Sequence, residues 1–538
     1  MRLNNKSLQD TAQWVSEGFI LPKFDRQAVT DATKAAPVWV HFGAGNIFRA
    51  FPALAMQKLL DGGITDRGIV VAEGYDYEII DKVFAPHDNL TLLATLKADG
   101  TIEKTVIAGV VEALKADSGN TADWQRLAEM FSNPSLQFAS FTITEKGYAV
   151  ADASGNVPKD IAQDFAAGPA KPQSYMGKIA ALLYKRYQAG AYPLAMVSMD
   201  NCSHNGTRLH AAVSAFAVEW AKNGFADKGF CDYIDDSARV AFPWSMIDKI
   251  TPRPDESVAK MLSSCGFEDT DVITTSKNTY VAPFVNAEQA EYLVIEDAFP
   301  NGRPALEKAG ILFTQRETVD KVEKMKVCTC LNPLHTALAV FGCLLGYTKI
   351  SDEMNDEQLV KLVEKVGYQE GLPVVVDPGI IDPKAFIDEV LGVRVPNPFM
   401  PDTPQRIACD TSQKVPIRFG ETIKAYIKRD DLNAADLRAI PLVLAGWCRY
   451  LIAIDDEGNA FTLSPDPMLG TLQAALAGIS LGSAPEECKQ KLHPVLSNPA
   501  FFGVNLYEAG LGEVVEGMFC EMIAAPGAVR KTLQKHLS

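Results

Sequence analysis

The stretch Pro37-Val-Trp-Val-His-Phe-Gly-Ala-Gly-Asn-Ile-Phe-Arg-Ala-Phe51 constrains the fold more than any other. Val38 to Phe42 is an apolar run of strand length, Gly43 and Gly45 supply a tight turn, and Ala53 to Leu60 has a helix pattern. A second strand, Gly68 to Ala72, comes next and ends at Glu73. This is the opening unit of a dinucleotide-binding fold. There the glycines let the backbone, with Asn46 and Ile47 behind it, approach a pyrophosphate at a helix start. The third glycine of the usual pattern is replaced by Phe48. Glu73 can accept hydrogen bonds from an adenosine ribose and would repel a 2′-phosphate, which points to NAD; it would equally serve as a solvated loop carboxylate.

Further apolar runs continue the alternation: Thr105 to Val111, Gln137 to Thr144 and Pro193 to Met199, separated by helical patterns at Ala122–Met130, Tyr175–Ala189 and Thr207–Asn223. The reading is α/β, a Rossmann-like doubly wound N-terminal domain. Segments just past the C-terminal ends of parallel strands line the ligand crevice, which places Glu145, Lys146, Asp200 and Asn201 on it. The stretches 242–252 and 292–304 read as long connections or edge strands. Beyond about residue 305 the texture is helical with Pro and Gly breaks. The chain therefore divides near 285, into a dinucleotide-binding domain (1–285) and a mostly α-helical C-terminal domain (286–538) for substrate and catalysis. Residues 1–36 read as a leading arm with a short helix.

That second domain opens on Lys326-Val-Cys-Thr-Cys-Leu-Asn-Pro-Leu-His335. Leu334, Leu338, Phe341 and Leu345 recur at helical spacing, and Pro333 suits a first turn. Asn332 and His335 then project from one side of it, with Lys326 just before. A desolvated lysine can exchange a proton, and an amide and an imidazole can donate to a developing oxyanion. A capping Asn, a surface Lys and a core His is the plain alternative. Cys328 and Cys330 with His335 lack a second pair at zinc spacing, so no metal is expected.

The ordered set Gly43–Arg49, Thr144–Tyr148, Ser198–Asn201 with Asn205-Gly206, Ser245–Pro252, Ile295–Asp297 with Gly302–Pro304, and Glu323–Lys326 with Leu331, Asn332 and His335 resembles the mannitol dehydrogenase family, the polyol-specific long-chain dehydrogenases. Gln413 to Phe419 is a looser match. The resemblance implies that Lys326 is the catalytic acid–base, that Asn201 and Asn332 hold the substrate oxygen, that His335 positions the substrate, and that Glu323 lies on the proton path. It implies a metal-independent NAD(H) oxidoreductase acting on a small sugar acid or polyol. D-Fructuronate and D-mannonate come first, because Lys414 and Arg418 could meet a carboxylate, with Asp200 and Asp248 as further substrate ligands. Fructose/mannitol and tagaturonate remain as alternative substrates, and a non-catalytic NAD-binding protein or an epimerase with bound NAD as other classes.

Two departures from the family pattern stand out. Five residues separate Lys326 from Asn332 where the family usually has four; a π-bulge would absorb the extra one, or Lys324 would take the role. Cys328-Thr-Cys330 also replaces the usual basic residue. The net charge of −16 argues against nucleic acid or an anionic membrane as partner, and no apolar run approaches a membrane span. Ten scattered cysteines and an N-terminus without an apolar signal core point to the cytoplasm. The oligomeric state is open, a monomer being workable.

Overall fold

A computed structural model describes residues 1–152 and 154–538. It divides into two compact units: Met1–Lys97 with Thr101–Asp320, and Ala98–Gly100 with Lys321–Ser538.

The first unit is built on a six-stranded sheet: β1 (Trp39–Phe42), β2 (Ile69–Glu73), β3 (Val110–Lys115), β4 (Phe138–Phe141), β5 (Leu194–Ser198) and β6 (Val240–Ala241). The spatial order is β3-β2-β1-β4-β5-β6, with every neighbouring pair parallel. This is the doubly wound order, whose strand sequence reverses between β1 and β4 and opens a crevice at their C-terminal ends. β1, β2, β4 and β5 are buried along their whole length, as strands covered on both faces must be. Two polar groups inside β1 are satisfied across the sheet. Trp39 Nε1 donates to Ser140 Oγ at 2.6 Å, and the His41 ring sits between the Ser140 and Thr142 hydroxyls at 2.6 and 2.8 Å. Burial lowers the His41 pKa to about 3, so the ring is a neutral bridge.

Several expectations change. The run Thr105 to Val111 is two strands in two sheets. Ile102–Ile107 pairs antiparallel with Thr91–Leu96, the chain turns at Ala108-Gly109, and only then does β3 begin. The leading arm is not detached: Phe19–Ile20 adds a parallel strand to Ile102–Ile107. The division also comes later than residue 285. Phe284–Glu288 pairs with Thr91–Leu96, and Tyr292–Glu296 lies between Ser245–Asp248 and Leu312–Thr314, so these strands complete sheets of the first unit. The proline-rich 298–304 stretch resembles a domain exit but only links two strands.

The second unit is helical. Four of its turns are π-type: Lys326–Cys330, Lys365–Gly371, Val390–Arg394 and Pro416–Gly420. The turn Lys326–Cys330 packs against Lys365–Gly371, Pro416–Gly420 and the helix Pro383–Glu389 that runs into Val390–Arg394. One helical run, Arg316–Leu344, is long and apolar enough to cross a membrane by length and composition, contrary to the sequence reading. However, 72% of its most apolar window is buried inside the protein, as in a core helix.

Candidate active site

At the C-terminal end of β1 the chain must reverse against β4. Gly43 does so at φ +104°, with an ideal Cβ only 2.2 Å from the Thr142 carbonyl oxygen, so no side chain fits there. Gly45 has nothing within 4 Å of its Cβ position. The Oδ1 of Asn46, the next residue, is buried without a hydrogen-bond partner among the described residues. An open glycine beside an orphaned polar atom is what a cradle for a dinucleotide requires, so these residues fit NAD. Phe48, at the position of the absent third glycine, stacks on His41 with ring centroids 4.4 Å apart and fills core space.

Glu73 is not the solvated carboxylate of the alternative reading. It is buried. Oε2 accepts from Ala44 N at 2.8 Å, and Oε1 accepts from Tyr75 N and Asp76 N at 2.8 and 3.0 Å. A carboxylate has about four acceptor positions, so three amides leave at most one for a ligand. The side chain ties the glycine turn to the exit of β2. Burial pushes its pKa up against the pull of those amides.

Past β4 and β5 the expected crevice residues divide into two kinds. Asp200, expected among the substrate ligands, braces the crevice instead. It accepts from Ile143 N and Thr144 N at 2.9 Å each and from the Tyr148 hydroxyl at 2.5 Å, so its carboxylate is used in holding the two strand exits together. Asn205 carries a function the sequence reading did not assign. Its buried amide donates to Ser198 O, Asp200 O and Ser245 O and accepts from Ser245 N, fixing both ends of the loop that carries Asn201. Asn201, Glu145 and Lys146 are exposed, and Glu145 pairs with Arg208 at 3.0 Å. Asp248 is buried in the strand Ser245–Asp248.

In the second unit, Lys326 is the first residue of the π turn and is buried, whereas Lys324 is exposed. Burial thus separates the two candidate lysines, and Lys326–Cys330 has the π geometry that would accommodate an added residue. Glu323 is half-buried one helical turn earlier. The helix Asn332–Leu344 comes next, with Pro333 in its first turn and Leu334, Leu338 and Phe341 in the core. His335 Nε2 lies 3.5 Å from Asp402. Its pKa falls to about 3, chiefly through burial and then through the positive charges of Arg418, Arg406, Arg394 and Lys414. The shift favours the neutral imidazole, a hydrogen-bonding group. Lys414 Nζ donates to the Ile407 carbonyl at 3.1 Å and to that of Cys409. Arg418 Nη1 donates to Thr336 Oγ1 at 2.5 Å and to the Asn332 carbonyl at 3.4 Å.

Arg394, Arg406 and Asp402 belong to this group but were not singled out from sequence. The only available signal was Asp402 standing four residues before Arg406 ahead of Gln413–Phe419. Burial pushes the Cys328 and Cys330 thiols up to about 11 and about 12, which disfavours the thiolates a metal would need.

Two family models match the chain in tandem: the mannitol dehydrogenase Rossmann domain over residues 38–308 and the mannitol dehydrogenase C-terminal domain over residues 318–515. The chain belongs to the mannitol dehydrogenase family. A D-mannonate oxidoreductase of Thermotoga maritima is 56% identical over 537 residues, covering 99% of each chain. Among solved structures, a D-sorbitol dehydrogenase in substrate-free form superposes with a TM-score of 0.79 at 25% identity, covering 97% of this chain and 98% of that one. The mannitol 2-dehydrogenase of Pseudomonas fluorescens, in ternary complex with NAD and D-mannitol, superposes with a TM-score of 0.67 at 26% identity over 99% of both chains.

Proposed function

We propose that the chain is a metal-independent, NAD(H)-dependent oxidoreductase that interconverts D-fructuronate and D-mannonate. The observation that carries this reading is the buried Lys326, set on a π turn one step before Asn332 and His335, in a chain 56% identical to a D-mannonate oxidoreductase. Bound nicotinamide cofactor supplies the hydride in reduction and takes it up in oxidation. In reduction the Lys326 ammonium gives its proton to the substrate oxygen; in oxidation the neutral amine takes it back, with Glu323 as the next group outward. Asn332 donates a hydrogen bond to that oxygen as negative charge gathers on it. His335, held neutral, fixes a substrate hydroxyl. The buried position of Lys326 favours an enzyme over a cofactor-binding protein that has lost its chemistry. The ten free thiols support a cytoplasmic location.

NAD(H) is the preferred cofactor in this reading. A 2′-phosphate brought to the exit of β2 meets Glu73 and Asp76, both buried carboxylates with no ion-paired cation among the described residues. The test tracks NADH absorbance with D-mannonate, D-fructuronate, tagaturonate, fructose and mannitol, each with both cofactors. A kcat/KM that is highest for the mannonate/fructuronate pair with NAD(H) is expected. A preference for mannitol, or for NADP(H), overturns the corresponding part of the reading.

A further inference from the structure

Around the first turn of the helix Asn332–Leu344 positive charge is in surplus. Arg418, Arg406, Arg394 and Lys414 all act on His335, and Asp402 is the carboxylate that faces the ring. The four cations are not equivalent. Arg406 forms an ion pair with Asp402. Lys414 spends its ammonium on two backbone carbonyls. Arg418 differs: it is half-buried, it touches the catalytic turn through Thr336 and the Asn332 carbonyl, and no carboxylate pairs with it among the described residues. Those two bonds use Nη1 alone, and no protein group is bonded to Nε or Nη2 among the described residues. Taking a guanidinium out of water without a counter-charge is costly, so a chain that retains one beside its catalytic turn needs an anion that arrives later. The remaining Nε and Nη2 donors form the fork that grips a carboxylate with two parallel hydrogen bonds.

We propose that Arg418 is the specificity-determining residue that binds the substrate's carboxylate, and that it sets the choice of a sugar acid over an uncharged polyol. This inference deepens the function proposed above and rests on it. Binding at Arg418 places the carboxylate end of the sugar on the His335 side of Asn332. The hydroxyl-bearing carbon that reacts is then further along the same chain, toward Lys326. Lys414 and Arg406, with their donors committed, shape the site and its potential without gripping the anion.

The experiment compares kcat/KM for D-mannonate and D-mannitol in the wild type, Arg418→Met and Arg418→Lys, with NADH binding monitored by fluorescence to establish that each variant is folded. In Arg418→Met the mannonate-to-mannitol ratio of kcat/KM is expected to fall by about 10²-fold, mostly through the KM for mannonate. Arg418→Lys keeps the charge but not the fork and is expected to restore part of that ratio. If the wild type does not turn over mannonate at all, the function proposed above fails. If it does, but Arg418→Met lowers both substrates equally through kcat, Arg418 only braces the helix through Thr336 and the present inference is wrong.

Discussion

At the scale of single residues, two lysines two positions apart differ in what the fold does with them. Lys326 is buried on the π turn and Lys324 is exposed on the preceding helix. Lys326→Ala should therefore lose about 10²–10⁴ in kcat while still binding NADH, since removing a general acid–base group typically costs that much. Small added amines should restore part of the rate. Lys324→Ala should stay near wild type, and the reverse pattern would refute the register. Glu353 makes a second residue-scale case. It is fully buried, neither carboxylate oxygen has a hydrogen-bond partner among the described residues, and burial raises its pKa from 4.5 to about 10. The folded state thus holds a proton that the unfolded state releases. The associated stability is fully present below the unfolded pKa and is lost as pH rises from about 4.5 toward 10. Glu353→Met removes both the titration and the unsatisfied oxygens. Chemical denaturation should show it more stable by about 1–3 kcal/mol at neutral pH, with a flatter pH profile above. An unchanged profile would mean that Glu353 is not the group responsible.

At the scale of elements, the π turn Lys326–Cys330 is the device that matters. A π turn closes its hydrogen bond one residue later than an α turn, so it can hold an inserted residue without rotating the helix on its C-terminal side. In an ideal α-helix that insertion would swing Asn332 and His335 by about 100° relative to Lys326. Deleting Cys328 should convert the turn to ordinary α geometry and leave kcat within about tenfold of wild type, because the angular relation is retained. Inserting an alanine beside it should cost at least about 10²-fold, comparable to losing the proton-transfer group. Equal losses from deletion and insertion would show that the π geometry itself is required. The packing of this turn against the π turns Lys365–Gly371 and Pro416–Gly420, and against the helix leading into Val390–Arg394, brings residues distant in sequence to one place.

At the scale of the whole molecule, the proposed reading rests acid–base chemistry on an ammonium and needs no metal. Among the described residues no group of three or more His, Cys, Asp or Glu could hold a metal ion. Prolonged dialysis of the enzyme against a strong chelator should leave kcat unchanged. Activity that vanishes and returns with zinc would revive Cys328, Cys330 and His335 as ligands despite the raised thiol pKa values. The net charge of −16 sets a repulsive background for an anionic substrate, against which the proposed reading sets the local surplus around His335.

The doubly wound sheet was legible in the sequence because buried parallel strands and amphipathic helices each impose a period, and glycine marks the turn that only glycine can make. The helix after Asn332 and the tandem of Lys326, Asn332 and His335 were legible for the same reason: the relations are local. Other features arose from contacts that no local pattern encodes. The split of 102–115 between two sheets depends on which strand lies alongside. The late boundary depends on the pairing of 284–296 with strands far earlier in the chain. The reassignment of Glu73 and Asp200 from ligand contacts to braces depends on which amides approach them. Sequence fixes what a side chain can donate or accept; only the tertiary fold decides whether that capacity is used inside the protein, as with Asp200, or left for a substrate, as proposed for Arg418. The reason is that hydrogen bonds and charges act over a few ångströms, and residues more than a helical turn apart are brought within that range only by packing.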